Sequence, residues 1–360
     1  MDGAERARPG DQHRARGYRR HGAGHGTGPR VACQPAPVSR CARRRVALTP
    51  RVPDRTRAGT SRSADMTSGA VGVAEQRDRL ADFVVLTKLR LNALVVVTTG
   101  VGYLVGRVGG IDPVVFANTT IGATLVAGGA AALNQVAERD LDERMLRTRD
   151  RPIPAGRLQS TDATWLAVLL SVTGLAQLAF GVNLTAAVVA LATLVSYAGI
   201  YTPLKRWTHW AVLGGAVPGA LPVVIGWAAG GPLTAGAWTL FAIVFVWQLP
   251  HFLALTWLYR IDFERAGLPL LSVTDPSGRR TARHLLVYTI LLVPVSIAPS
   301  WLGLAGLGYA AGATILTFAL LFLATRFAAD RSTDRARVLF RATLLYLPLI
   351  WGLLLLDAAG

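Results

Sequence analysis

The stretch IGATLVAGGAAALNQVAERDLDERMLRTRDRP, residues 121–152, indicates the fold class, because an almost wholly apolar run ends abruptly in charged residues. Between positions 138 and 151 it sets five acidic residues against five arginines. The acidic residues are Glu138, Asp140, Asp142, Glu143 and Asp150, and the arginines are Arg139, Arg144, Arg147, Arg149 and Arg151. The apolar run suits the hydrocarbon of a bilayer, and the charges mark where the chain leaves it.

The composition of the whole chain indicates a membrane protein. Of its 360 residues 52% are hydrophobic and only 16% are charged, whereas a soluble domain carries about 25% charged residues. Nine apolar segments are long enough to cross a bilayer as helices. They cover residues 91–107, 114–137, 161–180, 183–201, 210–229, 235–258, 285–303, 305–326 and 337–357. We therefore predict an all-α integral membrane protein with nine transmembrane helices.

Basic residues predict the orientation of these helices. They cluster before the first segment and after the second, fourth, sixth and eighth, while the opposite loops hold little beyond Arg107. Since cytoplasmic loops carry the excess of Lys and Arg, we expect the N-terminus and these four loops to be cytoplasmic and the C-terminus to be outside. The charged stretches after segments two and six then share one membrane face.

Residues 1–65 form a leader with 15 arginines and both cysteines of the chain. This composition is typical of disorder. The leader is either a tail for nucleic acid or acidic lipid, or the product of a start assigned too far upstream. We favour the second interpretation, with Met66 as the true start. It makes 66–360 the membrane domain and leaves no role for nucleic acid.

Three polar residues at the end of the second segment, Asn134, Glu138 and Asp142, follow one another at intervals of four. On a continuous helix this spacing places them on one face, whereas Asp140 points elsewhere. Such oxygen ligands suit Mg²⁺, which often bridges one or two carboxylates to substrate phosphates. The alternative is a solvated helix end with ion pairs. Asn134 argues against it, because a polar group inside a membrane is costly without a role.

Basic residues follow these carboxylates at two places. Arg147 and Arg151 come soon after Asp142, and guanidinium groups bind phosphate oxygens through paired hydrogen bonds. Tyr201 and Lys205 flank a proline turn at the end of the fourth segment. They either anchor the helix at the membrane interface or serve a leaving diphosphate, with Lys205 neutralising its charge. Carboxylates, metal and arginines together favour a diphosphate site.

The third polar cluster lies in WQLPHFLALTWLYRIDFERAG, residues 247–267. Gln248 and His251 stand in an otherwise apolar segment beside a helix-kinking proline. We expect them to line a cavity and bind substrate, although a lone histidine is more often structural. Arg260 and Asp262 follow at the end of the segment. Arg260 is a further substrate-binding candidate, and Asp262 offers a second metal position opposite segment two.

Four stretches together resemble the UbiA superfamily of intramembrane prenyltransferases and, within it, the heme branch of protoheme IX farnesyltransferases. They are NQVAERDLDERMLRTRDRP (134–152), YTPLKR (201–206), GAVPGALPVVIGW (215–227) and WQLPHFLALTWLYRIDFERAGLPLL (247–271). The resemblance runs from about residue 86 to the C-terminus. It implies a UbiA-type bundle of nine helices whose central cavity opens to the cytoplasmic side.

The resemblance also implies roles for single residues. The implied catalytic set is Asn134, Glu138, Asp142, Lys205 and Asp262, and the implied Mg²⁺ ligands are Glu138, Asp142 and Asp262. Arg147, Arg151 and Tyr201 match residues that bind diphosphate, and Gln248, His251 and Arg260 complete the predicted substrate-binding set. The sequence departs from the family pattern at Glu138, where many members have aspartate, and at Ile261, where a second acidic residue is frequent.

The implied reaction transfers a farnesyl group from farnesyl diphosphate to heme b, with Mg²⁺ as cofactor. The implied surroundings are the lipid bilayer of the inner (plasma) membrane, which the chain crosses several times, with heme A synthase as a further partner. Three alternatives remain from the residues: a prenyltransferase for a quinone precursor or another aromatic acceptor, a multi-helix transporter, and a heme-binding assembly factor without catalysis.

Overall fold

The structure, a computed structural model, describes residues 80–358, so the predicted leader and the proposed start at Met66 lie outside it. Regular structure among the described residues is entirely helical. In chain order the helices are α1 (Leu89–Gly106), α2 (Pro113–Ala137), α3 (Arg139–Arg144), α4 (Ser160–Gly181), α5 (Leu184–Leu194), α6 (Thr202–Leu204), α7 (Ala211–Gly230), α8 (Ala235–Leu258), α9 (Arg260–Arg265), α10 (Leu271–Thr274), α11 (Arg279–Trp301), α12 (Leu307–Asp330) and α13 (Thr333–Ala358). A π-helix, Val195–Tyr201, joins α5 to α6.

Eight helical spans in the described range are long and apolar enough to cross a membrane. One of them, Leu184–Leu204, combines α5, the π-helix and α6. The first predicted segment forms the shorter apolar helix Asn92–Gly106 within α1. The all-α prediction is therefore confirmed, whereas the count of nine is approximate because the first apolar run falls short of a full span.

Glycines bring α1 and α7 into backbone contact. A Cβ placed on Gly102 would lie 2.0 Å from the Val223 carbonyl oxygen, and one on Gly226 would lie 1.9 Å from the Thr99 carbonyl oxygen. Both distances are far inside van der Waals contact, so only glycine allows this approach. Small residues serve the same purpose generally where helices pack in lipid. The contact fixes α1, and the turn before it, against the bundle.

Helix α8 lies inside the bundle, where it packs against α7, α11 and α13. The largest buried cluster is formed mainly by these helices and α12, with Trp351, Tyr309 and Phe327 among its largest fully buried side chains. Because α8 is enclosed on several sides, its polar residues face other helices rather than lipid. This explains how Gln248 is buried within an apolar segment.

The helix ends that carry the predicted site meet at one end of the bundle. Thr202, at the start of α6, donates a hydrogen bond from Oγ1 to Asn134 Oδ1 near the end of α2, over 3.2 Å. The loop after α3 is tied to the helical segment 80–86, because Arg157 Nε donates to Asp82 Oδ2 over 3.1 Å. The π-helix leads into the same region, and such segments are frequent at functional sites.

Candidate active site

The helix that carries the first acidic motif breaks at Glu138. This residue leaves the helical conformation with φ −107° and ψ 7°, between the end of α2 and the start of α3. Its carbonyl still accepts a hydrogen bond from Asp142 N over 2.8 Å, so the spacing of four survives across the break. The prediction of a continuous helix is wrong, but burial still separates Asp140 from Glu138 and Asp142, as expected. Glu138 and Asp142 are buried, and the Asp140 side chain is 61% exposed.

Asp142 is the most enclosed carboxylate of this motif, with 1% of its surface exposed. Its Oδ2 accepts a hydrogen bond from Arg151 Nη1 over 2.7 Å. Its Oδ1 is buried and has no hydrogen-bond partner among the residues that the structure describes. Since an unpaired buried acceptor costs about 1–3 kcal/mol, this oxygen is suited to a cation or a donor from outside the chain.

Lys205 reaches Glu138 from the end of the span Leu184–Leu204. Its Nζ contacts Glu138 Oε1 and lies 5.3 Å from the centre of the Tyr201 ring. Burial, and after it the charges of Lys88 and Arg206, lowers the pKa of Lys205 to about 7. The contact with Glu138 acts in the opposite direction and favours the charged amine. The positive charge of Lys205 would likewise stabilise negative charge that develops on a group bound beside it.

Asn134 joins two parts of the site. It is buried, and its Oδ1 accepts the hydrogen bond from Thr202 Oγ1. Thr202 directly follows the π-helix that ends in Tyr201, so this bond couples the acidic motif to the turn that carries Lys205. The sequence placed Asn134 in the implied catalytic set but did not single out Thr202, whose one signal is its position inside YTPLKR.

Arg147 connects the two acidic motifs. Its guanidinium carbon lies 5.1 Å from the centre of the Tyr259 ring, just beyond α8, where a cation is attracted to the ring face. Burial, and after it the charge of Arg151, lowers the pKa of Arg147. The carboxylates of Asp142 and Asp262 act in the opposite direction, so both lie close enough to interact with this arginine.

Lys88 belongs to the site although the sequence prediction did not include it. Its backbone has φ 50° and ψ 47°, the left-handed region that is uncommon outside glycine. Two amide side chains hold this turn in place. Asn92 Nδ2 donates to the Thr87 carbonyl over 2.8 Å, and Gln135 Nε2 donates to the Leu86 carbonyl over 2.6 Å. The turn is therefore clamped from both α1 and α2.

Charges of the first motif and of the arginines after it act on the Lys88 amine. Burial, and after it the charge of Arg151, lowers the pKa of Lys88 to about 8, while Asp142 acts in the opposite direction. Strained backbone conformations persist where their surroundings enforce them, often at functional sites. Lys88 stands out in the sequence as a basic residue before the first segment. Nothing in the neighbouring sequence shows that Gln135 holds its turn.

The site fits a metal ion that is bound together with a diphosphate. Mg²⁺ usually keeps several waters and takes one or two carboxylates plus phosphate oxygens. Asp142 Oδ1 offers a buried oxygen without a partner in the described part of the chain, and Glu138 brings a second carboxylate. Residues 80–358 hold no group of three or more His, Cys, Asp or Glu able to share one ion. Asp262 is thus not gathered with the other two around a single ion.

Gln248 lies inside the bundle, as predicted, and is held there by backbone carbonyls. Its Nε2 donates to the Val244 carbonyl over 3.1 Å and to the Ala216 carbonyl of α7 over 3.4 Å. A Cβ on Gly219 would lie 2.0 Å from Gln248 Oε1. The glycine of the GAVPGALP stretch therefore makes room for this side chain.

His251 stacks between two aromatic rings, Trp247 at 5.2 Å and Phe340 at 4.8 Å between ring centres. Its Nδ1 lies 2.9 Å from Thr343 Oγ1, and that hydroxyl donates to the Phe340 carbonyl over 2.7 Å. Because the hydroxyl proton is used there, Nδ1 is the donor and Nε2 carries the lone pair. The ring is thus oriented by its neighbours and retains one acceptor.

Other predicted features are not brought to the carboxylates of the first motif. Arg260 lies over the Trp257 ring at 4.6 Å and donates to the Trp257 carbonyl over 3.0 Å. Asp262 accepts a hydrogen bond from Arg265 Nη1 over 3.3 Å. A small recess lies near the starts of α7 and α11, away from the carboxylates. The central cavity stays a prediction.

Residues 95–347 match the UbiA prenyltransferase family, and the chain belongs to this family. Solved structures agree with the fold. A structure of digeranylgeranylglyceryl phosphate synthase has a TM-score of 0.67 at 14% identity, covering 78% of this chain and 99% of its own. A UbiA homologue of Archaeoglobus fulgidus bound to GPP and Mg²⁺ has a TM-score of 0.53 at 13% identity, covering 76% and 99%.

Relatives within the family are nearer in sequence. The chain is 45% identical over 291 residues to the protoheme IX farnesyltransferase of Solibacter usitatus, covering 78% of this chain and 100% of that protein. It is 43% identical over 281 residues to the protoheme IX farnesyltransferase of Opitutus terrae, covering 78% and 95%. The chain is thus a multi-pass membrane prenyltransferase and groups with the protoheme IX farnesyltransferases.

Proposed function

We propose that this protein transfers the farnesyl group of farnesyl diphosphate to a vinyl group of heme b, forming heme O for the biogenesis of heme–copper oxidases. One observation carries the site assignment: two buried carboxylates, Glu138 and Asp142, lie among cations at one end of the bundle. The cations are Lys88, Arg147, Arg151 and Lys205. This arrangement suits a diphosphate bound through a metal and through direct contacts.

Asp142 and Glu138 are the residues that would hold Mg²⁺, with Asp262 as a candidate on the opposite side of the substrate. The bound ion would supply positive charge against the diphosphate oxygens. The UbiA homologue solved with GPP and Mg²⁺ supports this proposal by its fold. The arginines and lysines of this chain would bind the remaining diphosphate oxygens and stabilise the charge that grows there.

The reaction follows from loss of that diphosphate. The allylic C–O bond breaks, both its electrons leave with the diphosphate, and the farnesyl cation is attacked by the vinyl π bond of heme b. A new C–C bond forms and leaves a cation on the carbon next to the porphyrin ring. Water adds to that carbon and releases a proton, which gives the hydroxyethylfarnesyl group. Lys205 is placed to stabilise the departing diphosphate.

The acceptor must reach the cation before bulk water does, which requires an apolar enclosure. Gln248 and His251 on the buried helix α8 are our candidates for seating the porphyrin, because both are oriented by neighbours inside the bundle. If His251→Ala left both turnover and the apparent affinity for heme unchanged, this assignment would fail.

The cellular setting is part of the same proposal. Basic residues concentrate in the loops at the acidic-motif end, which by the positive-inside rule places that end in the cytoplasm. We accordingly propose the plasma membrane, a cytoplasmic N-terminus, an external C-terminus, and heme A synthase as the partner that receives the product.

An acceptor competition tests the proposed function. The full-length protein in lipid nanodiscs receives farnesyl diphosphate, Mg²⁺, heme b and an aromatic quinone precursor together, and mass spectrometry identifies the prenylated product. Prenylated heme alone is the expected outcome. A prenylated aromatic acceptor with unchanged heme would shift the function to another prenyltransferase class, and release of free farnesol alone would contradict acceptor transfer.

A further inference from the structure

The helical segment 80–86 lies against the loop between α3 and α4, residues 145–159. Its two buried residues are Asp82 and Leu86, and the rest of the segment is half-buried or exposed. Since Asp82 and Leu86 are four residues apart, they share one face of the segment. Leu86 belongs to the same buried apolar cluster as two residues of the loop, Ile153 and Leu158. The buried face of the segment is therefore the face that meets the loop.

Arg157 ties this face to the loop through its guanidinium group. Its Nη2 donates to Asp82 Oδ1 over 3.0 Å, and its Nε donates to Asp82 Oδ2 over 3.1 Å. The same Nη2 donates to the Asp150 carbonyl over 3.2 Å, in the peptide that leads directly to Arg151. Paired hydrogen bonds of this kind fix orientation as well as distance. One guanidinium therefore joins the backbone beside Arg151 to the segment 80–86.

The segment leads to Lys88, a cation that Arg151 repels. After burial, the charge of Arg151 is the largest cause that lowers the pKa of Lys88. Arg151 is itself held by Asp142, to which its Nη1 donates over 2.7 Å. The position of Lys88 relative to Arg151 thus depends on how the segment is attached. Without an attachment to the loop, repulsion between the two cations would favour their separation.

We propose that Asp82 and Arg157 are a positioning pair, which holds Lys88 beside Arg151 so that both cations bind one diphosphate. The inference rests on the proposed function, because a prenyl diphosphate is the donor there, and it assigns a role to two residues outside the diphosphate-binding set. The pair acts before the donor arrives, since cations that are already in place lower the cost of ordering the site on binding. Its loss should weaken binding of the donor and leave binding of the acceptor unchanged.

Binding of an unreactive donor analogue tests this role without the acceptor. The full-length protein in nanodiscs is titrated by calorimetry with farnesyl S-thiolodiphosphate in the presence of Mg²⁺. Arg157→Gln should raise the Kd of the analogue by about tenfold, within the range of coupling inside one hydrogen-bonded network. Arg149→Gln is the matched control, because it removes an exposed arginine of the same loop whose ion pair with Asp150 spans 3.9 Å. It should leave the Kd unchanged, and equal losses in both variants would overturn the proposal.

A double-mutant cycle shows whether Arg157 acts through Lys88. In Lys88→Met the lysine no longer contributes to binding, so its position no longer matters. Adding Arg157→Gln to that variant should therefore raise the Kd of the analogue by less than about threefold, compared with about tenfold in the unaltered protein. Losses that simply add would mean that the two residues act independently, and would overturn the proposal.

A second variant separates positioning from folding. Arg157→Gln alone leaves the buried Asp82 carboxylate without its partner, which destabilises the fold. Combining it with Asp82→Asn removes both charges, and glutamine is two atoms too short to replace the guanidinium bridge. The combined variant should therefore unfold at nearly the temperature of the unaltered protein and still bind the analogue about tenfold more weakly. Restored affinity in the combined variant would make the pair merely structural and overturn the proposal.

The positioning role and the proposed function fail separately. If the analogue binds with these differences but no heme O forms from farnesyl diphosphate and heme b, the proposed function fails and the positioning pair stands. If heme O forms while Arg157→Gln keeps the original Kd for the analogue, the positioning pair fails alone. In steady-state kinetics, Arg157→Gln should raise KM for farnesyl diphosphate and leave KM for heme b unchanged, and the reverse pattern would overturn the proposal.

Discussion

The two buried carboxylates of the first motif, Glu138 and Asp142, differ in how many of their oxygens already have a partner. Glu138 already contacts Lys205, whereas Asp142 uses one oxygen for Arg151 and keeps the other without a partner in the described residues. Glu138 also lies where the helix breaks. We infer that Asp142 is the principal metal ligand, and that Glu138 joins it when the substrate draws Lys205 toward its diphosphate.

A pair of alanine substitutions tests this difference. Asp142→Ala removes the buried oxygens and should lower kcat/KM by about 100-fold or more, the size of effect typical for a group that stabilises developing charge. Asp140→Ala removes only an exposed ion pair with Arg139 and should stay within about fivefold. Steady-state kinetics of heme O formation measures both, and equal losses would contradict the assignment.

Lys88 gives the site an expected dependence on pH. Its amine is charged below its pKa of about 8 and neutral above it, so kcat/KM for farnesyl diphosphate should decline as pH rises through that value. Lys88→Arg stays charged and should move the decline to higher pH. Lys88→Met should lower kcat/KM by about tenfold at neutral pH, from the loss of one charge-assisted hydrogen bond. An unaltered alkaline decline in Lys88→Arg would assign it to another group.

At the scale of helices, the sequence predicted most boundaries because apolar run length sets them. The segment predicted over 235–258 is the helix Ala235–Leu258. The segment predicted from 285 begins at Arg279 instead, because its first turns carry arginines and extend beyond the apolar run. The π-helix and the break at Glu138 were not predictable, since both depend on contacts between helices rather than on local composition.

Contacts between distant residues also limited what the sequence could predict about the site. Motif spacing identified Glu138, Asp142 and Arg151, which the structure brings together. It did not reveal that Gln135 holds the Lys88 turn, because that bond joins residues 49 positions apart. Long-range hydrogen bonds of this kind leave no periodic signal in a single sequence.

The contact between α1 and α7 can be tested with a matched pair of glycines. Gly226→Ala places a Cβ against the Thr99 carbonyl oxygen and should cost about 1–3 kcal/mol by overpacking. Gly352→Ala, in α13, meets no atom within 4 Å and should be neutral or slightly stabilising, because alanine favours helix. Thermal unfolding in detergent measures both. A Gly226→Ala variant as stable as Gly352→Ala would contradict the close contact.

At the scale of the whole molecule, the bundle gathers charges from distant parts of the chain at one end while its core stays apolar. This separation suits a reaction that begins at a diphosphate head and ends at an apolar acceptor. It also predicts that activity depends on a divalent cation. Excess chelator should abolish heme O formation, and added Mg²⁺ should restore it, whereas full activity in chelator would contradict a metal-bound diphosphate.

In the proposed reaction a farnesyl cation alkylates heme b and water completes the product. The most direct measurement is the mass of heme recovered after the purified protein is incubated with heme b, Mg²⁺ and farnesyl diphosphate in water enriched in heavy oxygen. The expected product is heme that has gained one farnesyl group and one labelled hydroxyl group, together with diphosphate that carries no label. Unmodified heme, or farnesylated heme with unlabelled oxygen, would contradict it.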